Sequence, residues 1–343
     1  MKFSPKILSI GCWNIEGIYE KVNGCTISKL EDETFLETLK KFDIFCLQET
    51  HAPKNDCPRF KEFATITHCR NISGNKRYFG GMLLFIRRTI RKGVKINKKV
   101  DDDSLEVILD NKYFGLSGNI RILFTYASPL TSSYTKSRTK TVLEKIETYI
   151  VDGRHSFLVM GDLNGRTKKE DDFVRDAVDK HSPIEEIPFY IPDTQMERNN
   201  KDNTAIDEQG KKVLEICKSN SLRILNGRTN GDEFGTFTRY PKRKNENPSV
   251  IDYTLCGEAL MSSIHSFSVL PFSELSDHCC ISTFIKVNQD IDRVNPNLPK
   301  LKFDRKRVRV FQANVLLSEK FEPLNSLVSK RQTRPRPLYT KTE

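Results

Sequence analysis

The sequence predicts one α/β domain whose two halves contribute to a single site. Short apolar runs typical of buried strands recur along the chain to about residue 285, with amphipathic helical segments between them. Polar motifs follow several of these runs in both halves of the chain. Because strands and helices are mixed throughout and the motifs are spread over both halves, we expect one domain and not two. At 343 residues and 37% hydrophobic content, the chain is long enough to bury a sizeable core.

The first half of the chain combines six predicted strands with two predicted helices. The helix at Thr34 to Lys41 places Phe35, Leu36 and Leu39 on one face, and the helix at Thr139 to Ile150 has a similar apolar side. The strands are Lys6 to Trp13, Asp43 to Gln48, Gly80 to Arg87, Leu105 to Leu109, Ile120 to Tyr126 and Ser156 to Met160.

The second half is richer in strands and ends in a basic tail. One helix is predicted at Gly210 to Asn220, and from about residue 287 prolines appear and Lys and Arg cluster. We therefore expect the domain to cover residues 1–286 and a linker-like tail to cover residues 287–343, with a short helix at Val308 to Phe321 and disorder from Ser329 to Glu343. The predicted strands are Leu222 to Leu225, Gly235 to Thr238, Val250 to Leu255 and Cys279 to Ile285.

Charge and cysteine usage restrict the class of protein. The formal net charge is +11 and the pI about 9.1, which favours nucleic acid as a partner and, second, an anionic membrane surface. Nine scattered cysteines without a C-x-x-C pair argue against a disulfide framework or a zinc cluster. There is no signal peptide and no apolar run long enough to cross a bilayer. We expect a nuclear or cytoplasmic protein that is neither secreted nor membrane-spanning.

Five short motifs place acid/base or metal-binding side chains after apolar runs. Each motif alone has a plain structural explanation, such as an Asx turn, a helix cap or a surface Asp-His hydrogen bond. Their occurrence together in one chain favours a shared site. The motifs are Trp13-Asn14-Ile15-Glu16-Gly17, Leu47-Gln48-Glu49-Thr50, Gly161-Asp162-Leu163-Asn164, Ile251-Asp252-Tyr253 and Ser276-Asp277-His278.

The residue types in these motifs suit phosphodiester hydrolysis, which needs a cation, an activated water and a donor to the phosphate. Carboxylate and amide oxygens are the ligands that Mg²⁺ prefers, and Mn²⁺ is an alternative. The candidate ligands are Glu49, Asn14, Glu16 and Asp277.

The remaining motif residues are candidates for acid/base work. His278 can donate to a phosphate oxygen or transfer a proton, with Asp252 as the carboxylate that orients its ring. Asp162 can accept the proton of the attacking water while Asn164 holds that water in line. No small-molecule cofactor is expected.

The ordered motif set resembles the endonuclease/exonuclease/phosphatase superfamily, over about residues 6–286. Its members include pancreatic-type deoxyribonucleases, abasic-site endonucleases, inositol-polyphosphate 5-phosphatases and neutral sphingomyelinases. The resemblance implies a four-layer α/β sandwich like that of pancreatic deoxyribonuclease, with two mixed β-sheets face to face and helices outside. It also implies the roles given above for the motif residues, and it adds Tyr126, which stands where a family tyrosine reaches the phosphate; a core aromatic is the alternative.

Within this superfamily, three stretches are similar to the endonuclease domain of non-LTR (LINE-type) retrotransposons. They are 220–228, 235–240 and 249–253. The Pro-Ala-Trp-Cys-Asp-Arg signature of the 5-phosphatases is absent, and Tyr126-Ala127-Ser128-Pro129 replaces the Tyr-x-Pro-Asn usual in abasic-site enzymes. The resemblance implies a Mg²⁺-dependent DNA endonuclease that nicks one strand and leaves 3′-hydroxyl and 5′-phosphate ends.

In the retrotransposon enzymes a hairpin loop before the later catalytic Asp enters the DNA minor groove. The equivalent loop here, Arg239 to Pro248, supplies four candidate DNA-binding residues. A charged, solvated hairpin is the alternative interpretation. The candidates are Arg239, Lys242, Arg243 and Lys244.

The sequence leaves other functions open. The chain contains no reverse transcriptase, so it is expected to be a fragment, a degenerate copy or a stand-alone nuclease that cannot itself copy RNA. A phosphomonoesterase or phospholipase of the same fold is one rival interpretation, and an inactive DNA-binding remnant is another. Neither the target site nor the oligomeric state follows from the sequence.

Overall fold

The computed structural model describes residues 6–53, 58–70, 78–151, 156–174 and 193–288, which contain two six-stranded sheets and a separate two-stranded hairpin. The strands are β1 (Lys6–Asn14), β2 (Tyr19–Val22), β3 (Cys25–Ser28), β4 (Ile44–Gln48), β5 (Phe63–His68), β6 (Met82–Arg87), β7 (Val94–Asp101), β8 (Ser104–Leu109), β9 (Ile120–Thr125), β10 (Ser156–Asp162), β11 (Leu222–Ile224), β12 (Asp252–Gly257), β13 (Ile264–Val269) and β14 (Ile281–Val287). The helices are α1 (Glu33–Lys40), α2 (Asn111–Phe114), α3 (Ser133–Lys136), α4 (Val142–Val151) and α5 (Glu208–Ser219).

The two large sheets have the same plan. Their strand orders are β13-β14-β1-β4-β6-β5 in the first sheet and β11-β12-β10-β9-β8-β7 in the second. Each has a single parallel pair at its centre, β1 with β4 and β9 with β10, while all the other pairs are antiparallel. Because parallel neighbours end at the same edge of a sheet, the ends of β1 and β4 lie together, as do those of β9 and β10.

The apolar residues form three layers of packing. Residues such as Leu8 and Ile122 form one cluster contributed by both large sheets. On α1, Phe35 packs against Phe45 of β4, with ring centroids 6.3 Å apart. On the second sheet, α4 and α5 share a cluster that includes Val213. Sheets therefore pack face to face with helices outside, and the predicted four-layer α/β sandwich is confirmed.

Side-chain caps explain where the two main capped helices begin. Asp32 accepts hydrogen bonds from the backbone N–H groups of Thr34 and Phe35 at the start of α1. Asp207 accepts from the N–H of Gly210 at the start of α5. Such carboxylates satisfy backbone donors that a helix leaves unpaired at its first turn.

All predicted helices within the described residues and all predicted strands except one are present, with ends shifted by a few residues. The predicted strand at Gly235 to Thr238 is wrong. The N–H groups of Thr238 and Arg239 both donate to the carbonyl of Ser249, while the N–H of Cys279 donates to the carbonyl of Thr238. Because this backbone bonds to two separate segments, it forms isolated bridges and no continuous ladder.

Five strands and two one-turn helices were not predicted: β2, β3, β5, β7, β13, α2 and α3. From the sequence alone, the clustered Lys and Arg of the stretch Arg87 to Lys99 favour a solvated turn, and that interpretation is also wrong. Its second part lies in β7, where Val94 pairs with Leu109 and is 2% exposed. The many lysines of this stretch favour a solvated turn, although the strand they belong to has one buried side.

The expected helix at Val308 to Phe321 and the expected disorder from Ser329 to Glu343 lie outside the described residues. The domain boundary after residue 286 stays a prediction. Among the described helices, the longest has 12 residues, and none is long and apolar enough to cross a membrane.

Candidate active site

The motif residues meet where the central strands of both sheets end. Asn14 is the last residue of β1, and Glu49 follows β4 directly. In the second sheet Asp162 ends β10 and faces Asp252, the first residue of β12, in the antiparallel register. Tyr126 follows β9, the parallel neighbour of β10. The sheet plan therefore brings side chains from distant parts of the sequence to one edge.

Three of these residues have left-handed backbone conformations. The φ angles are +50° at Glu16, +51° at Glu49 and +48° at Asn164. A non-glycine residue in this region costs on the order of 1 kcal/mol, so other contacts must hold the turns. The carbonyl of Glu49 accepts from the N–H of Gly17 at 2.7 Å, and Asp162 Oδ1 accepts from the N–H of Asn164 at 2.9 Å. These hydrogen bonds hold the turns that follow the strand ends.

Asn14 joins the two sheets. Its Nδ2 donates to Glu49 Oε2 at 3.1 Å and to Asp162 Oδ2 at 3.0 Å. Its Oδ1 accepts from the N–H of Glu16 at 3.1 Å, and the residue is only 1% exposed. One buried amide therefore fixes a carboxylate from each sheet.

His278 forms a buried pair with Asp252. Its Nδ1 lies 3.0 Å from both carboxylate oxygens of Asp252. Its Nε2 faces Asp162 Oδ2 at 3.8 Å and Asp277 Oδ1 at 3.6 Å. Burial opposes the charged ring, but the carboxylates of Asp252 and Asp162 outweigh it and raise the pKa of His278 to about 10. The ring is thus protonated at neutral pH, and its Nε2–H is available as a donor.

For Asp162, burial outweighs the charge of its neighbour in setting the pKa. Burial raises the pKa of this carboxyl to about 7, and although the charge of His278 works against the shift, Asp252 and Glu49 add to it. Nδ2 of Asn164 also donates to Asp162 Oδ2 at 3.0 Å. A carboxyl that titrates near neutral pH is suited to accept a proton from water.

Tyr126 lies beside these carboxylates and is 8% exposed. Burial, followed by the charges of Glu49 and Asp162, raises the pKa of its phenol well above the ordinary value. The hydroxyl therefore keeps its proton and can donate it in a hydrogen bond.

Glu16 and Asp277 form a second, shallower group. The N–H of Asp277 donates to Glu16 Oε2 at 3.2 Å. Asp277 Oδ1 is buried and has no hydrogen-bond partner among the described residues, while burial raises the pKa of this carboxyl. A buried oxygen that accepts no hydrogen bond and lies close to another carboxylate fits a divalent cation that prefers oxygen ligands.

A different trio also meets the spacing of a metal site. One ligand atom each of Asp162, Asp252 and His278 lie within 4.8 Å of one another. Because His278 Nδ1 already bonds Asp252, this trio fits the acid/base roles predicted for its members. Glu49, Asn14, Glu16 and Asp277 remain the better candidates for Mg²⁺ or Mn²⁺.

The predicted DNA-binding loop lies beside the shallow group, which it contacts directly. Lys242 Nζ donates to Glu16 Oε2 at 2.7 Å, and Arg239 Nε donates to Asp277 Oδ2 at 2.9 Å. Burial of Glu16 disfavours its charge, but the hydrogen bonds from Lys242 and Asp277 prevail and lower its pKa. We call Glu16, Lys242, Asp277 and Arg239 the rim cluster.

The other two loop cations do not contact candidate metal ligands within the described part of the chain. Arg243 pairs with Glu246 at 3.2 Å and is 85% exposed. Lys244 is also exposed.

Gln48 links the two sheets, although the sequence analysis gave it no role. It is fully buried, its Nε2 donates to the carbonyl of Thr125 at 2.7 Å, and its Oε1 accepts from the N–H of Asp162 at 2.9 Å. Gly161 makes this approach possible, because a Cβ there would lie 2.1 Å from the Thr125 oxygen and 2.3 Å from Gln48 Nε2. The sequence signal for such a role was a polar residue at the end of an otherwise apolar strand.

Lys29 was missed as well. It is 5% exposed, and its Nζ donates to the carbonyls of Ile15 at 2.7 Å and Leu275 at 2.6 Å. Burial lowers its pKa. Lys29 thus ties the turn after β1 to the loop that precedes Asp277, but no local pattern in the sequence marks it.

Two more side chains hold the last motif in place. Trp13 Nε1 donates to the carbonyl of His278 at 2.7 Å, and Ser276 Oγ donates to the carbonyl of Asn14 at 2.7 Å. Thr238 Oγ1 accepts from the N–H of Asp252 at 3.0 Å. The first and last motifs are therefore bonded to each other through buried groups.

Comparison with solved structures finds several proteins to which this chain is similar. The AP endonuclease LMAP from Leishmania major superposes with a TM-score of 0.56 at 14% identity, over 82% of this chain and 88% of that one. The endonuclease domain of TRAS1, a telomere-specific non-LTR retrotransposon, gives a TM-score of 0.47 at 13% identity, over 82% of this chain and 100% of the domain. The 3′-5′ exonuclease NExo from Neisseria meningitidis gives 0.47 at 14% identity, over 81% and 100%.

At the level of sequence, no curated protein matches the chain. The model of the endonuclease/exonuclease/phosphatase family matches residues 11–278. This span begins just before Asn14 and ends at His278, so it includes every residue assigned above to the acid/base and metal groups. With the two-sheet fold and the strand-end site, this match establishes that the chain belongs to the endonuclease/exonuclease/phosphatase family.

Proposed function

We propose that this protein is a Mg²⁺-dependent DNA endonuclease that nicks one strand and leaves 3′-hydroxyl and 5′-phosphate ends. The observation that carries the proposal is the buried His278–Asp252 pair facing Asp162, with Glu49 joined to Asp162 through Asn14. A proton acceptor, a cationic donor and a candidate metal ligand thus surround one position. Phosphodiester hydrolysis needs these three kinds of group.

In the proposed reaction, water attacks phosphorus while the bond to the 3′ oxygen breaks, and the departing 3′ oxygen takes a proton from solvent water to become the 3′-hydroxyl. Asp162 accepts the proton of that water, because its carboxyl titrates near neutral pH. Asn164, bonded to Asp162, orients the water. When bound, Mg²⁺ supplies positive charge that stabilises the developing oxyanions.

Two donors would hold the phosphate. The protonated ring of His278 presents Nε2–H, since Asp252 occupies its Nδ1. Tyr126 presents a phenol that remains protonated. Both are buried, and donors in a water-poor site stabilise charge in the transition state better than exposed ones do.

DNA is the proposed substrate because the candidate site is bordered by cations. Lys242 and Arg239 reach the rim itself, and Arg243 and Lys244 extend the positive charge along the same loop. Cations that replace condensed counterions on phosphates contribute affinity for nucleic acid. The net charge of +11 and the three retrotransposon-like stretches support the same substrate and a retrotransposon origin.

Nicking of supercoiled plasmid tests the proposal. We expect the wild-type chain with Mg²⁺ to produce open circles that DNA ligase reseals, because only 3′-hydroxyl and 5′-phosphate ends can be joined. EDTA should abolish nicking, and Asp162→Asn should lower its rate by about 10³-fold, within the range expected for loss of general base catalysis. Glu147→Gln, which alters an ion pair between α4 and α5, is the matched control and should retain full activity.

Three results would contradict the proposal. Hydrolysis of a small phosphate ester by folded protein that leaves plasmid intact would identify a phosphomonoesterase or phospholipase. Salt-dependent DNA binding without cleavage would identify an inactive remnant. Nicks that ligase cannot seal would reject the assigned ends.

A further inference from the structure

Two of the cations assigned to DNA contact carboxylates assigned to the metal. In the rim cluster, Lys242 holds Glu16 and Arg239 holds Asp277, and the N–H of Asp277 bonds Glu16. The four groups therefore form one connected charge cluster. Any cation that binds the two carboxylates has to share them with Lys242 and Arg239.

The two cations are held differently. Arg239 is 29% exposed, is fixed through its backbone to Ser249, and has a second anionic neighbour in Glu246 at 3.5 Å. Lys242 is 66% exposed, and Glu16 is its one ion-pair partner among the described residues. An exposed lysine on a flexible stem gains little from a single ion pair, so a divalent cation can replace it at Glu16.

From this arrangement we infer that metal and DNA bind cooperatively because Lys242 exchanges partners. Without metal, Lys242 neutralises Glu16 and is partly withheld from DNA. Metal at Glu16 and Asp277 displaces the ammonium group, which then contacts a phosphate of the bound strand. The inference rests on the proposed function, since it assumes that these carboxylates bind metal and that this loop binds DNA.

If Lys242 exchanges partners, its removal should increase metal affinity and decrease the enhancement of DNA binding by metal. Lys242→Met removes a competitor, so metal affinity in the absence of DNA should rise. The same change removes a phosphate contact that exists mainly in the metal-bound state, so metal should no longer enhance DNA binding as much. Reciprocity requires metal and DNA to alter each other's affinity by the same factor.

A simple DNA contact would behave differently. If Lys242 only attracted phosphate, Lys242→Met would weaken DNA binding equally with and without metal. Lys244→Met is the matched control, because Lys244 is an exposed lysine in the same loop, and no described contact links it to a candidate metal ligand. Comparison with Lys244→Met corrects the measured affinities for the change in net charge and for the screening of DNA by Mg²⁺.

The experiment measures binding and not turnover. Calorimetric titration of the full chain with Mg²⁺ gives metal affinity without DNA. Fluorescence anisotropy with a cleavage-resistant phosphorothioate duplex, at constant ionic strength, gives DNA affinity with Mg²⁺ and with EDTA. The ratio of the two DNA affinities is the coupling factor for wild type, Lys242→Met and Lys244→Met.

We expect a wild-type coupling factor of about 5- to 50-fold, retained in Lys244→Met and reduced at least threefold in Lys242→Met. We also expect Lys242→Met to bind Mg²⁺ at least twofold more tightly than Lys244→Met does. Equal coupling and equal metal affinity in the two variants would overturn the inference. If wild type still nicks plasmid in that case, the endonuclease proposal stands alone; if it neither binds Mg²⁺ nor nicks, both fail.

Discussion

The rim cluster and the deep cluster of Asp162, Asp252 and His278 both combine carboxylates with cationic groups, but in different surroundings. Glu16 in the rim cluster is 31% exposed and pairs with an exposed lysine, and its pKa is lowered. Asp162 is 1% exposed, and burial raises its pKa to about 7 even though a cation is nearby. Burial, more than the identity of the partner, therefore separates a carboxylate that remains charged from one that can exchange a proton.

The same difference sets the cost of removing a partner. The deep groups have little water to replace a lost partner, so an unpaired charge there is expensive. In the rim cluster, the exposed Lys242 and the partly exposed Glu16 can regain solvent, and exposed ion pairs typically contribute about 0–1 kcal/mol.

The largest expected effect comes from removing the deep cation. His278→Ala leaves Asp162 and Asp252 facing each other, so we expect nicking to fall by about 10³-fold and the free energy of unfolding to fall by about 3 kcal/mol. Glu16→Gln in the rim cluster should change the free energy of unfolding by less than about 1 kcal/mol. Urea unfolding and plasmid assays of both variants measure the contrast. Equal destabilisation by the two substitutions would remove the distinction between the clusters.

A pH titration of metal-free protein sharpens the comparison. Burial opposes the charged ring of His278, but the charge of Asp252 prevails and raises its pKa from 6.5 to about 10. The stabilisation is complete below pH 6.5 and is lost as pH rises through about 10. Between pH 7.5 and 10 we expect wild type in EDTA to lose about 2–3 kcal/mol of unfolding free energy relative to His278→Gln. Parallel stability curves for the two proteins would contradict the assigned ion pair.

The smallest predicted effect concerns the link between the turn after β1 and the loop before Asp277. Lys29→Met removes one buried and one partly buried hydrogen bond donated by Lys29 Nζ, and we expect a loss of about 1–2 kcal/mol in unfolding free energy. The loosened loops should also raise the Mg²⁺ concentration needed for half-maximal nicking. Lys29→Arg keeps a donor and should recover part of both properties. A stability loss without any change in Mg²⁺ dependence would make Lys29 purely structural.

The sequence predicted the candidate site best where functional residues directly follow predicted strands. Asn14, Glu49 and Asp162 each follow an apolar run, so the pattern that predicted the strands also predicted their side chains to meet. The pairing of Asp252 with His278, which are 26 residues apart, was predicted from residue chemistry, because a histidine in acid/base work needs a carboxylate that orients its ring. The direct contact between their side chains agrees with that pairing.

The remaining features depend on tertiary contacts that leave no local signal. Lys29 bonds carbonyls 14 and 246 residues away, so nothing near it in the sequence marks it as a buried brace. The loop cations were interpreted as DNA contacts, but Lys242 and Arg239 contact Glu16 and Asp277 in the folded chain. The prediction of a strand at Gly235 to Thr238 was wrong because the backbone there forms hydrogen bonds with two separate segments. β-propensity contains no information about such partners.

The position of β14 has a consequence for biosynthesis. This strand lies between β13 and β1, and it pairs Val287 with Lys6. While the polypeptide emerges from the ribosome, β1 lacks its neighbour on that side until residues 281–287 have been made. Contacts so distant in sequence form slowly, and an unpaired strand edge invites aggregation until they do. Because Asp277 and His278 lie directly before this strand, the candidate site also cannot assemble until this late part of the chain has been made.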